Sequence, residues 1–224
     1  MSTERRTAVL AAACWIVAGV VYLATEAVAA AAFDGYSYAT NYISDLGIPE
    51  VGTSGGRAID SPLAWVMNTG FIAHGVLFAA AAALFAPRVT TTLRRWFVAL
   101  AVTHGIGNVL VGLVHSGTTS ADTSYGFLHG VGAGMAIVGG NLTIVVVGLS
   151  LRRAPAERSL GTVCLLLGVV GLLAVTALLV DGGSSSVDVL PDGVWERISV
   201  YTITAAELLL GVVTLVGARR LSRS

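Results

Sequence analysis

Lysine is missing from this sequence, and charge of either sign is scarce. All thirteen basic residues are arginines, and a chain with no lysine amine cannot form the Schiff base that retinal or pyridoxal requires. Charged residues make up 12% of the chain, where an ordinary soluble domain has about a quarter. Thirteen acids balance the arginines, so there is no basic footprint for nucleic acid. The two cysteines, Cys14 and Cys164, fall inside apolar runs and outside any CxxC or Cys/His spacing. They read as small buried hydrophobes. No HExxH or HxxxH pair occurs, so no metal-dependent reaction is written in a histidine motif.

What the chain has in abundance is apolar length. Of its 224 residues 55% are hydrophobic, and the mean hydropathy is +0.81. Six runs are long enough to cross a bilayer, which takes about 20 residues. They cover 8–32, 62–86, 96–116, 125–150, 159–180 and 195–218. The first follows Arg5-Arg6 as a signal peptide would, but its 25 residues exceed the h-region of about 7–15. It reads as a retained span. Ser61-Pro62 reads as a cap with proline at the first helical position, and Pro87 and Pro155 as stops.

Arginine placement orients the spans. Eleven of thirteen fall on one side: Arg5, Arg6, Arg88, Arg94, Arg95, Arg152, Arg153, Arg158, Arg219, Arg220 and Arg223. By the positive-inside rule that side is cytoplasmic. Arg57 and Arg197 are left outside, with Asp34, Asp45, Glu50, Asp60, Asp122, Asp181, Asp188, Asp192 and Glu196. Trp65, Trp195 and Trp96 stand where interfacial anchors belong. The expectation is an all-α protein: a polytopic transmembrane bundle of six helices with both termini cytoplasmic, forming one integral membrane domain over 1–224 in the lipid bilayer. The outer segment 33–61 lies on the membrane or folds over the bundle as a lid. Residues 181–194 read as a solvated loop.

Ionisable groups inside the spans need a reason, since each costs about 2.5–3.5 kcal/mol at mid-bilayer on insertion scales. Glu26 is on span one, Asn68 and His74 on span two, and Glu207 near the middle of span six. On span three His104, Asn108 and His115 form one stripe by their spacing. His129 lies one turn inside span four, with Asn141 deeper. A short 117–124 connection makes spans three and four antiparallel neighbours, which brings His115 toward His129 with Asp45 as the acidic partner. His-Gly steps recur at 74–75, 104–105 and 129–130; the glycine lets backbones approach and the imidazole reach a neighbouring helix. Gly130-Val-Gly-Ala-Gly134 has GxxxG spacing and reads as close packing, not as a nucleotide loop. Ser44-Asp45 is a cap or turn, or else part of a site.

The run Asn41-Tyr-Ile-Ser-Asp-Leu-Gly47 after the first span resembles a prokaryotic family of small membrane proteins known as domain of unknown function 998. So does Pro62-Leu-Ala-Trp-Val-Met-Asn-Thr-Gly-Phe71 leading to His74, and the resemblance covers nearly the whole chain. It implies the six-span fold and the membrane location, and it brings no activity with it. The lysine-free composition rich in Ala, Val, Gly and Arg looks like that of a high-GC bacterium or a haloarchaeon.

Three functional readings stand side by side. In the first, an enzyme acts on a lipid or small amphiphile from the outer side. It uses His115, His129 and Asp45, with His104 and Glu26 behind them, as Zn²⁺ ligands or as general base and orienting acid. In the second, Glu207, His74 and His104 line the polar path of a proton-coupled small-molecule transporter or sensor; Asn68, His74, Asn108 and Glu207 are the binding candidates. In the third, the polar residues serve packing in a non-catalytic scaffold. Convergence of His104, His115, His129, Asp45 and Glu26 on one cavity favours the enzyme, and scattering favours the scaffold.

Overall fold

The computed structural model describes residues 2–117, 124–181 and 189–220. Asp122, Asp188 and Arg223, assigned to one face or the other above, lie outside the described residues. So do most of the 117–124 connection and half of the 181–194 loop. Six long apolar helices form: α1 Thr3–Ala32, α2 Ala64–Phe85, α3 Thr91–Leu113, α4 Phe127–Leu151, α5 Arg158–Asp181 and α6 Asp192–Arg220. All six are long and apolar enough to cross a membrane.

Each helix packs against the next in the chain, and α6 returns to α1, closing a ring that α4 and α6 also bridge. Valines and leucines such as Val20, Val76, Leu166 and Val212 face outward and exposed, as a lipid-facing surface requires. Trp65 and Trp96 are among these exposed residues.

Contacts at the helix ends define two faces. At the arginine face the Arg5 Nε donates to the Ala218 carbonyl at 3.1 Å, and the Thr90 N–H donates to Ser150 Oγ at 2.9 Å. At the opposite loop face, residues 33–61 fold down onto the helix ends. Ile43–Gly47 forms a 3₁₀ turn packed against α1, α2 and α6, with Ile43, Leu46 and Ile48 buried beneath it. Of the two placements expected for this segment, the lid is the one adopted.

The Gly/Ser-rich stretch after the turn is a small hairpin, which the composition did not reveal. Strands β1 Gly52–Ser54 and β2 Arg57–Ile59 pair antiparallel, Ser54 opposite Arg57. Gly55 and Gly56 have φ of 54° and 79°, the left-handed pair that a tight two-residue hairpin loop needs. Ser61 is not the side-chain cap of α2. Its hydroxyl donates to the Leu46 carbonyl at 2.7 Å, tying the turn down, and the helix begins at Ala64. Helix α3 stops at Leu113, because Val114 turns to extended backbone. His115 therefore lies beyond the helix that was expected to carry it.

Two of the His-Gly steps do bring helices together. A Cβ at Gly75 would lie 2.6 Å from the Gly105 carbonyl, and one at Gly105 would lie 2.7 Å from the Gly75 carbonyl. Helices α2 and α3 thus cross backbone to backbone, and the His74 and His104 rings meet edge-on at 5.2 Å. The GxxxG pair Gly130 and Gly134 meets no neighbouring helix among the described residues, none of which lies within 4 Å of a Cβ at either. On α4 it is Gly132 that meets α3.

Gly105→Ala is expected to cost about 1–3 kcal/mol, the usual penalty of overpacking, while Gly134→Ala is neutral or stabilising. Thermal unfolding of the two variants in one detergent checks this.

Candidate functional site

The 41–47 segment acts as a plug, and nearly every residue in it is tied to a different partner. The Asn41 carbonyl accepts from Arg197 at 2.8 Å, and the Tyr42 hydroxyl donates to Asp192 at 2.7 Å. The Ile43 N–H donates to Glu196 at 2.5 Å. The Gly47 carbonyl accepts from Asn68 Nδ2 at 2.8 Å, and a Cβ at Gly47 would fall 2.3 Å from Asn68 Oδ1. Asp45 is fully buried. It accepts two bonds from Arg57 at 2.7 and 3.0 Å, one from Asn41 Nδ2 at 3.1 Å and one from the Tyr42 N–H at 3.1 Å.

Burial works against the Arg57 charge, but the hydrogen bonds and charge of Asp45 outweigh it and hold the guanidinium pKa above its ordinary value. Burial, reinforced by Asp192, pushes the Tyr42 phenol up. Burial likewise raises Tyr36 against the opposing pull of Arg197. Both phenols therefore stay protonated donors at neutral pH.

A second buried pair pins the start of α6. Arg197 meets Glu26 of α1 at 3.1 Å, and Tyr201 donates to the other Glu26 oxygen at 2.9 Å. The same guanidinium donates to the Tyr38 and Gly193 carbonyls and to the Tyr36 hydroxyl, and it sits 4.8 Å over the Tyr38 ring. Arg57 and Arg197, the two exceptions to the arginine asymmetry, are thus each matched to a buried acid.

Under the plug lies a cavity of about 40 Å³ between Ile43, Glu196, Tyr22, His74, His104 and Asn108. It has room for one to about three waters. Its floor is a line of polar side chains crossing the ring of helices. Glu207 Oε1 on α6 lies 3.0 Å from His74 Nε2 on α2. His74 Nδ1 lies 3.4 Å from Asn108 Oδ1 on α3. Asn108 Nδ2 lies 3.2 Å from His104 Nε2 and donates to the His104 carbonyl at 3.0 Å. His104 Nδ1 lies 2.6 Å from the Ala136 carbonyl on α4. Glu207, His74, His104 and Asn108 are all buried, and among the described residues nothing hydrogen-bonds to Glu207 Oε2.

The line runs between two apolar layers. Tyr22, Met67, Phe71 and Val111 pack on the loop-face side, and Trp15, Phe78, Phe85 and Phe97 close the arginine-face side.

The chain belongs to the family described as protein of unknown function DUF998. The family model matches residues 16–213, a span that contains the plug, the cavity and the whole polar line. No curated protein and no solved structure matches the chain.

In this family member the candidate residues divide into groups. His74, His104, Asn108 and Glu207 come together. Asn68 serves the plug, as does Asp45, whose Ser44-Asp45 step is a turn with Asp45 capping it. Glu26 belongs to the Arg197 pair. His115 faces Glu50 at 3.4 Å, and His129 Nδ1 meets the Val114 carbonyl at 2.7 Å. His115 and Asp45 are both within electrostatic reach of His129, but the three do not join His104 around one cavity. Among the described residues no group of three or more His, Cys, Asp or Glu side chains is placed to hold a metal ion.

Sequence reasoning missed Glu196 and Tyr22 as cavity residues. A signal for the first was present, since Glu196, Val200, Ile203 and Glu207 follow the i, i+4, i+7, i+11 spacing of one helix face.

Arg57→Gln leaves the Asp45 charge buried without its partner, which should cost about 3–5 kcal/mol. The double variant Asp45→Asn/Arg57→Gln should recover part of that loss. Thermal unfolding of the single and double variants in nanodiscs reads the difference.

Proposed function

We propose that this protein is a proton-coupled transporter of a small solute. In this reading it sits in the plasma membrane of a prokaryote, with the arginine face and both termini in the cytoplasm and the loop face outside. The eleven-to-two split of the arginines supports the orientation. The functional reading is carried by the line Glu207–His74–Asn108–His104 under a plugged, water-sized cavity. Contacting imidazoles and carboxylates inside a membrane are the parts of a proton relay.

Size weighs against a lipid or amphiphile bound in the closed state. Pockets for ligands of that scale run to about 300–1,000 Å³, far above the 40 Å³ found under the plug. A solute larger than water enters when the plug lifts from α2 and α6, whose side chains Asn68, Glu196 and Arg197 hold it down. Zn²⁺ at His115, His129 and Asp45 has less support, because Arg57, Asn41 and the Tyr42 N–H already occupy the Asp45 oxygens.

The test is uptake into proteoliposomes with an imposed pH gradient, acidic at the loop face. Labelled amino acids, sugars and nucleosides serve as probes. The wild type is expected to accumulate at least one probe, and a protonophore or Glu207→Gln should reduce that uptake to the level of empty liposomes. Gradient-driven uptake that survives in Glu207→Gln overturns the reading. So does a folded wild type that moves no probe under that gradient.

A further inference from the structure

We infer that the His74–Glu207 contact holds one proton, and that the polar line can release it only by opening a contact between helices. The inference rests on the proton-coupled reading of this site and adds how many protons are held and what their loss does.

Hydrogen-bond direction settles the bookkeeping from one end of the line. A backbone carbonyl only accepts, so the Ala136 oxygen 2.6 Å away requires the hydrogen of His104 on Nδ1. A neutral His104 then presents a lone pair at Nε2. The Asn108 amide is oriented by two acceptors, His104 Nε2 and the His104 carbonyl, which both require its NH₂ group. Its oxygen is left facing His74 Nδ1 at 3.4 Å, so that nitrogen carries a hydrogen. His74 Nε2 faces Glu207 Oε1 at 3.0 Å, and one more hydrogen has to lie between them. The pair is therefore either imidazolium with carboxylate or neutral imidazole with carboxylic acid. Both forms hold the same single proton and have zero net charge.

Removing that proton leaves one hydrogen for the two nitrogens of His74 and a negative charge on Glu207. If Nδ1 keeps the hydrogen, the Nε2 lone pair confronts Glu207 Oε1 across the α2–α6 contact. If Nε2 takes it, the Nδ1 lone pair confronts Asn108 Oδ1 across α2–α3. Asn108 cannot turn to answer it without losing both His104 bonds. One contact opens in either case, and the 3.4 Å bond to Asn108 is the longer of the two. The departing proton passes from His74 to water in the cavity that His74 lines. The opposite side is closed by Trp15, Phe78, Phe85 and Phe97.

Other ionisable groups surround the pair. From α1 come Tyr22, whose ring is 4.8 Å from His74, and Glu26, which is paired with Arg197. From α3 comes His104, its ring 5.2 Å away. Helix α6 adds Glu196 across the cavity and Tyr201, which is bonded to Glu26. Helix α5 brings the Cys164 thiol into the apolar layer beneath. Helix α4 has His129 near its loop-face end and offers the pair no other ionisable side chain. The plug brings Asp45, which Arg57 neutralises.

The experiment uses the full chain in nanodiscs, stepped through pH while infrared difference spectra and amide hydrogen exchange are recorded. The wild type is expected to show one protonation event with carboxyl and imidazole bands. Amide protection factors in α2 around residues 70–78, which remove the intrinsic rise of exchange with pH, should fall on the alkaline side. Glu207→Gln supplies a fixed N–H to His74 Nε2, so both changes should vanish. Glu50→Gln, on the His115 pair, should leave them in place.

Retention of both changes in Glu207→Gln overturns the inference. Should that variant fail to fold, nitrogen-15 spectra of histidine in the wild type decide instead. Hydrogen on His74 Nδ1 at acid pH is expected, and a neutral His74 with hydrogen on Nε2 alone at acid pH overturns the site. A titrating pair in a protein that moves no probe defeats the transport reading only. Proton-driven uptake with no titration at His74 and Glu207 defeats this inference only.

Discussion

A carboxylate inside a bilayer has no water to solvate it, so each one has to find a partner within the protein. The architecture follows from how that constraint is met. Glu26 on α1 meets Arg197 on α6, Asp45 in the plug meets Arg57 on β2, and Glu207 on α6 meets His74 on α2. Each pairing joins two separate elements, so the charges that are costly to bury also lock the ring and its cover. The first two acids are matched by permanent guanidinium cations. The third is matched by an imidazole, whose two ring nitrogens can each donate or accept a hydrogen bond. That difference sets the third pair apart from the first two.

Close backbone approach makes the third pairing reachable. Imidazole is short, and His74 can contact Asn108 and stand beside His104 only because Gly75 and Gly105 let α2 and α3 touch at their carbonyls. The glycine beside each of these histidines therefore belongs to the site as much as the ring does. The third His-Gly step shows what the pattern lacks without a facing glycine. Gly130 faces none of the described residues within 4 Å of its Cβ position, and His129 turns to the Val114 carbonyl at the mouth of the bundle.

The family motif Asn41–Gly47 changes meaning once folded. Its polar residues look like a catalytic run, yet Asn41, Tyr42 and Asp45 are consumed by contacts that hold the plug in place. The polar line lies below it, on helices, its members as far apart in sequence as the 133 positions from His74 to Glu207. Spacing within one helix revealed the pair His104 and Asn108. It did not reveal that His115 leaves the helix at Val114, because α3 ends by a change of backbone direction with neither proline nor glycine at its cap.

Hydropathy and composition alone determined the number of membrane helices, their approximate limits and the arginine asymmetry, because lipid accepts only long apolar segments with satisfied backbones. The intramembrane acids and histidines were also visible from sequence, since each stands out against its apolar run. Which of them meet was decided by tertiary structure alone. Contact depends on helix rotation and on closure of the ring from α6 back to α1, and neither is local. The same holds for the two outlying arginines, which read as exceptions in sequence and become ion-pair partners only when the β1–β2 hairpin and α6 bring them to Asp45 and Glu26.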